Sequence, residues 1–363
     1  MEAKRVVITG IGTINALGHN AEETWKKMKE GQLGIDTISA FDASELKVSL
    51  AAEVKNLNVT DYIPVKAAKR TERFVQLASI AANEAVSDAG LNMEQEDAYR
   101  VGVCVSSAIG GLERIAKETI VAHEKSASKV NPFTVPLVIS NMVSANIAMA
   151  YGCQGKCIGV VSACSSGTDS IGEAYNTILS GQCDIMITGG SDSCICLEGI
   201  TAFQQMHALT TTEDKNKASI PFDAERSGFV MGEGAGVLIL EELSHAKKRN
   251  ATIYGEIIGY GCTNDAHHIT CPREDGQAAA KAMELAIQNS NITKEQINYV
   301  NAHGTSTHFN DLCETRAMKQ VFGTHAYKLS INSTKSMLGH TLAGAGAIEA
   351  IVCLLSMRDS YVH

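Results

Sequence analysis

Short runs of β-branched and other apolar residues alternate with helical stretches along the whole of this chain. That alternation restricts the fold more than any other feature of the sequence. KRVVITG (4–10), VGVCVSS (101–107), CIGVVSA (157–163), CDIMITGG (183–190), 237–242, 253–260, INYVNA (297–302) and KLSIN (328–332) read as strands. Helices are predicted between them. Asn20 caps one over AEETWKKMKE, closed by Gly31. Another spans 71–88, with Phe74, Leu77, Ala78, Ala81 and Ala85 on one face. Further helices are predicted over 134–151, 165–180, 276–289, 311–322 and 342–357. Strand–helix alternation predicts an α/β fold with mainly parallel sheets. One internal echo stands out. VVSACSSGTDSIGEAYNTILS and NSTKSMLGHTLAGAGAIEAIVCLLS both pass from a strand through small polar residues into a Gly- and Ala-dotted helix. The echo predicts two duplicated halves, 1–250 and 251–363.

Composition narrows the class of function. At about 150 residues per domain, 363 residues suit two domains or one large one. The formal charge of −9 argues against non-specific nucleic-acid binding as the main task. No uncharged apolar run reaches about 18 residues, so no membrane span is expected. The opening MEAKRVVITG has no apolar leader segment and predicts no secretory signal. Eleven Cys without such a signal predict free thiols in a reducing cytoplasm. The pairs Cys153/Cys157 and Cys194/Cys196 lack a second pair at zinc-site spacing, so no metal is expected.

Three residues draw attention as candidate chemistry. Cys164 sits between a strand and a helix, where unpaired backbone N–H groups and the helix dipole would favour a thiolate. The same N–H groups could hold an oxyanion. A buried structural cysteine is the competing reading. His303, in NAHGTST, and His340, in KSMLGHTLAGAG, both fall in small-residue loops after strands, where α/β proteins place their sites. The competing reading is a pair of satisfied polar side chains. Gly304, Gly339 and Gly344 permit close approach of a ligand to the backbone.

Four motifs in this order carry a resemblance: VSACSSGTDSIGEA, PFDAERSGFVMGEGAGVLILEE, NAHGTST and NSTKSMLGHTLAGAGAIEA. The chain resembles the β-ketoacyl-[acyl-carrier-protein] synthases, most of all the type II elongating form of bacterial fatty acid synthesis, over essentially all its length. The resemblance implies a thiolase-like α/β fold, with two similar halves in αβαβα layers. It also implies a decarboxylative Claisen condensation of malonyl-acyl carrier protein with an acyl chain held on Cys164. His303 and His340 resemble the pair that supports decarboxylation. Lys335 resembles the lysine of the same catalytic set. Glu314 matches the acid that pairs with it, an ion pair read as orienting the loops. Thr305 and Thr307 resemble the hydroxyls that bind the phosphopantetheine arm. Phe229 matches an aromatic beside the catalytic histidine, Ile109 and Phe203 the pocket and gate residues, and Phe133 a residue contributed by a partner subunit. Core packing is the competing reading for each of these pocket residues.

Acyl carrier protein is the implied partner, and a homodimer the implied assembly. Phosphopantetheine arrives on the carrier, so no cofactor is implied. Lys66, Lys69 and Arg70, with Arg73, form a basic cluster in the position the family uses for carrier docking, although a solvated helix face would look the same. His207 stands where the family commonly has Arg, which predicts weaker or pH-dependent docking. The family continues past Tyr361–His363, here expected to enter an edge strand, into a Gly-Phe-Gly-Gly loop that supplies an oxyanion donor. The 363 residues alone are therefore expected to elongate poorly, because losing such a donor costs about 10² to 10³ in rate. Turnover equal to that of a chain extended through the loop would refute this.

Alternatives separate on residues. Gly10-x-Gly12 begins like a dinucleotide fingerprint but has Asn15 at the third glycine. A thiolase would be expected to use a second Cys in place of His340. A polyketide-type ketosynthase shares the motifs, and a non-catalytic chain-length subunit would usually lack Cys164.

Overall fold

The computed structural model describes residues 4–363. Ten strands are described: β1 (Val6–Asn15), β2 (Asp36–Thr37), β3 (Leu50–Ala51), β4 (Val101–Ser106), β5 (Cys157–Ile158), β6 (Ile185–Asp192), β7 (Gly234–Glu242), β8 (Gly255–Ile257), β9 (Tyr299–Asn301) and β10 (Ser330–Asn332). Six of them form one sheet in the order β5-β4-β6-β7-β1-β8. The β4/β5 and β4/β6 pairs are parallel, while β6/β7, β7/β1 and β1/β8 are antiparallel. The expectation of mainly parallel sheets is therefore corrected to a mixed sheet. The cause is physical: a strand covered on both faces reads as one apolar run whichever way its neighbours point.

Both faces of this sheet are covered. Val101, Val103 and Val105 of β4, with Val237 and Ile239 of β7, pack toward the helix Arg73–Asp88. Cys104, Leu238 and Leu240 face the other way, toward the helices Ser166–Leu179 and Ala343–Asp359. A bulge between Ile8 and Gly10 shifts the register of β1, so that Ile8 and Ile11 share one core while Ile14 joins the other. Gly10 and Gly12 have a packing role. A Cβ on either would lie 2.3 Å or 2.1 Å from a carbonyl oxygen of the helix Arg73–Asp88. The pair that begins like a nucleotide fingerprint lets a helix lie on a strand.

The two echoing segments pack on each other. A Cβ at Gly167 would meet the Ala343 carbonyl at 2.3 Å, and one at Gly346 would meet Thr168 Oγ1 at 2.0 Å. Such close approach explains why both helices are dotted with Gly and Ala. Beyond residue 290, β9 and β10 form a separate parallel pair with Tyr299 opposite Ser330. Their helices, Gln277–Ser290 and His308–Phe322, share a small apolar core.

Three further sequence expectations are corrected. The single helix over 134–151 is two helices, Thr134–Val138 and Met142–Tyr151, with Ile139 extended between them. The strand expected over 157–163 ends at Ile158, because the chain must turn into the Cys164 loop. Tyr361 and His363 form no strand. Their rings pack edge-on to Trp25, and the His363 carbonyl accepts from Asn332 Nδ2 at 2.8 Å.

Candidate active site

The chain after β5 turns through a 3₁₀ segment, Ala163–Ser165, directly into the helix Ser166–Leu179. Cys164 sits at the middle of that turn. Ala163 adopts φ +53°, a left-handed conformation that is strained for a residue with a side chain. Side-chain hydrogen bonds hold the turn: Ser166 Oγ donates to the Ala163 carbonyl at 2.7 Å, and the Ser162 N–H donates to Ser166 Oγ at 2.9 Å.

β9 delivers His303 and β10 leads to Lys335 and His340. The His303 loop is clamped by Glu314, whose carboxylate accepts the His303 and Gly304 N–H groups at 2.7 and 2.8 Å. Glu314 is therefore a backbone clamp. The acid that ion-pairs with Lys335 is Glu349, from the helix Ala343–Asp359. This corrects the Lys335–Glu314 pairing. A Glu in the otherwise apolar run GAIEAIVC was the available signal for Glu349.

Cys164 Sγ and a ring nitrogen from each of His303 and His340 lie within 4.8 Å of one another. The imidazole centroids are 5.3 Å apart at 84°, and Phe229 packs 5.2 Å from His340 and 5.6 Å from Phe203. His340 has a defined tautomer. The Leu342 N–H donates to its Nδ1 at 3.2 Å, so the ring hydrogen is carried on Nε2. Nε2 is buried and has no partner among the described residues. An N–H donor is thus aimed at the Cys164 cavity with nothing to bond, and in this tautomer it is not a metal ligand.

Charge around the triad favours neutral rings. Burial, then the Lys335 ammonium, push the His303 imidazole down to about 3. His340 is also held well below the ordinary histidine range by burial, Lys335 and His303. Burial pushes the Cys164 thiol up, with Lys335 pulling the other way. The expectation of a resting thiolate is corrected to a resting thiol, because the loss of hydration outweighs the nearby cation. The His303 ring resonances should accordingly keep their neutral-form shifts from pH 8 to about pH 5 in a titration by NMR; a midpoint near the free-histidine value would contradict it. The unfolded chain binds the protons that these folded imidazoles refuse, so stability falls as pH drops through about 6.5 toward 3.

Lys335 and Glu349 form a buried pair, with the lysine side chain only 2% exposed. Lys335→Ala would strand the carboxylate and is expected to cost about 3 kcal/mol or more in denaturant unfolding. Lys335→Ala with Glu349→Leu should recover much of that loss.

The triad opens into a cavity of about 950 Å³ that Phe203, Phe229, Thr305, Thr307 and His207 also line. Thr305 and Thr307 bring their hydroxyls to 2.8 Å. Ile109 and Phe133 do not line it. The Ile109 N–H is bound by Asp192 at 3.2 Å, and Phe133 is 63% exposed. Lys66, Lys69 and Arg70 are exposed and away from the cavity lining. Arg73 leaves that cluster, because it makes a two-pronged pair with Glu233 at 2.6 Å.

Two positioning residues were missed in the sequence. Asp192, buried at the end of β6, accepts from Ser107 Oγ at 2.6 Å and from the Ala343 N–H at 2.9 Å, tying β4 to the last helix. Arg226 donates to the Thr307 and His308 carbonyls at 3.0 and 2.7 Å, fixing the threonine loop. Arg226 was visible within PFDAERSG, but Asp192 had no local signal.

Family models agree with this geometry along the chain. Residues 3–246 match the N-terminal domain of β-ketoacyl synthase and residues 254–363 match its C-terminal domain. The chain belongs to the β-ketoacyl synthase family. This synthase is 44% identical over 359 residues to 3-oxoacyl-[acyl-carrier-protein] synthase 2 of Staphylococcus aureus, covering 99% of the chain and 87% of that protein. It is 41% identical to the Synechocystis protein of the same name, covering 100% and 87%. Its fold superposes with TM-score 0.91 and 32% identity on a type II polyketide ketosynthase solved in complex with its acyl-carrier protein and bound to a hexaketide, covering 100% and 88%. A β-ketoacyl synthase from Burkholderia phymatum gives 0.89 at 33%, covering 98% and 86%. The synthase has the thiolase-like α/β fold of these neighbours. Among the described residues, no helix is long and apolar enough to cross a membrane.

Proposed function

We propose that the chain elongates acyl groups on acyl carrier protein by decarboxylative Claisen condensation. Cys164 is the nucleophile, and His303 and His340 are the donors to the malonyl thioester oxygen. The observation that carries this reading is the unpartnered Nε2–H of His340, directed with His303 at the space beside the Cys164 sulfur.

The Cys164 sulfur attacks the acyl thioester, the carrier thiolate leaves, and the thiol proton ends on it. Malonyl thioester then loses CO2, and the electron pair of the broken C–C bond becomes an enolate. Two neutral N–H donors meet the charge that develops on its oxygen. The enolate carbon attacks the acyl carbonyl, the Cys164 thiolate leaves, and the sulfur takes up a proton from solvent, the one proton the reaction consumes. Neither metal nor organic cofactor is needed for this sequence. Burial, assisted by the Lys335 ammonium as a positioning charge, keeps both rings neutral and able to donate from one nitrogen.

Thr305 and Thr307 are assigned to the pantetheine arm, Phe203 and Phe229 to the cavity wall, and Lys66, Lys69 and Arg70 to the acidic carrier. The carrier-protein complex of the polyketide neighbour supports that partner. A homodimer is proposed from the exposed apolar residues Phe133, Val135, Met149 and Val161 near the edge strand β5. Phe133 and Ile109 would then shape the acyl pocket across the two-fold. Eleven free thiols suit a cytoplasmic protein. Fatty acid duty is favoured over polyketide duty by the higher identity to the elongating synthases. Purified chain given acyl- and malonyl-carrier protein should release CO2 and a β-ketoacyl carrier two carbons longer. Acyl exchange without CO2 release would sink the proposal.

A further inference from the structure

Three side chains tie the Cys164 turn to the C-terminal part of the chain. Ser162 Oγ donates to one carboxylate oxygen of Asp169, in the first turn of the helix Ser166–Leu179. Tyr260, just beyond β8, donates its hydroxyl to the other oxygen at 2.6 Å. Ser165 Oγ donates to the Ser162 carbonyl at 2.8 Å. Residues on both sides of Cys164 are thus fixed by side-chain hydrogen bonds, and Asp169 gathers them onto Tyr260.

Glycines make room for this arrangement. A Cβ at Gly172 would lie 2.3 Å from the Tyr260 ring, so the ring rests on the helix one turn beyond Asp169. Gly259 and Gly261 flank Tyr260. A Cβ on either would meet the carbonyl oxygen of Ala286 at 2.1 Å or of Ala282 at 2.0 Å. Both carbonyls belong to the helix Gln277–Ser290, and Asn289 Nδ2 of that helix donates to the Tyr260 carbonyl at 3.0 Å. Gly-Tyr-Gly therefore lies against one helix with its backbone and against another with its ring.

The relay joins the two sources of the triad. The helix Gln277–Ser290 shares an apolar core with His308–Phe322, whose Glu314 clamps the His303 loop. At the other end, Ala163 holds φ +53°, and a strained turn persists only where its surroundings over-determine it. We infer that Tyr260 and Asp169 are positioning residues for Cys164, holding the Ala163 turn so that the sulfur stays within reach of both imidazoles. The effect on rate rests on the proposed function, whereas the bracing of the turn does not.

The test uses the full chain carrying Tyr260→Phe, which keeps the ring on Gly172 and removes only the hydroxyl. Single-turnover transfer of an acyl group from its carrier to Cys164 is expected to slow about tenfold at saturating carrier, as loss of one hydrogen bond to a carboxylate does. Malonyl decarboxylation, which depends on the histidines, should keep the wild-type rate. Hydrogen–deuterium exchange should quicken in the peptide spanning 162–166 and stay unchanged in those that carry His303 and His340. Asp169→Ala should slow transfer at least as much. Asp169→Asn should recover most of the rate, because its oxygen accepts from Tyr260 and its N–H donates to Ser162 Oγ. The double variant Tyr260→Phe with Asp169→Ala should be no slower than Asp169→Ala alone, since both cut one relay.

Unchanged exchange at the turn in both Tyr260→Phe and Asp169→Ala would overturn the brace, whatever Cys164 does in catalysis. A loosened turn with transfer to Cys164 at the wild-type rate would overturn its hold on the sulfur. Transfer and decarboxylation falling together would overturn the positioning role in favour of a general structural contact. A loosened turn with the acyl group arriving on another thiol would support the brace and count against the proposed function.

Discussion

Replacing Cys164 by alanine is expected to abolish the acyl-enzyme and to lower condensation by at least about 10⁴-fold. The substitution removes the thiol that lies within reach of both imidazoles, whereas Cys271, the other described thiol lining the cavity, is not grouped with them. The turn that carries it is held by Ser162 and Ser166, not by the thiol, so the thermal midpoint should stay near that of the wild type. Malonyl decarboxylation should survive, because its donors are the histidines. Mass spectrometry of the intact protein after incubation with acyl-carrier protein checks the first part, and CO2 release checks the second. An acylated alanine variant would place the nucleophile elsewhere.

His340→Ala is expected to lower malonyl decarboxylation by about 10² to 10³, as removal of one preorganised donor does. Transfer of the acyl group to Cys164 should fall much less. The loop should persist, because it is held through the backbone: the His340 N–H donates to the Val230 carbonyl at 2.7 Å, and the Gly232 N–H donates to the His340 carbonyl at 2.9 Å. The split between the two half-reactions is the informative readout, since a merely misfolded site would lose both. Decarboxylation at the full wild-type rate would remove His340 from its assigned role.

Much of this was legible in the residues. Buried strands announced themselves as β-branched runs, and the Asn20 cap was correctly placed, its side chain accepting the Glu23 N–H at 2.8 Å. The triad was found as a Cys and two His in small-residue loops after strands, and the structure brings all three together. What was illegible depended on contacts distant in sequence. Strand direction leaves no trace in a run buried on both faces, so the antiparallel β1, β6 and β7 contacts went unseen. The resemblance points to Glu314 as the partner of Lys335, and Glu349 is not legible as that partner without knowing that the last helix brings it there. The state of the Cys164 thiol is not legible locally, because proximity to a helix start is a local feature, whereas the burial that overrides it comes from segments distant in sequence.

The most direct test is to give the wild-type protein acyl-carrier protein without any malonyl partner, digest it, and find which of its eleven thiols carries the acyl group. The account predicts a thioester on Cys164 and on no other cysteine, discharged when malonyl-carrier protein is added. An acyl group on a different thiol, or product formed while Cys164 stays free, would contradict it.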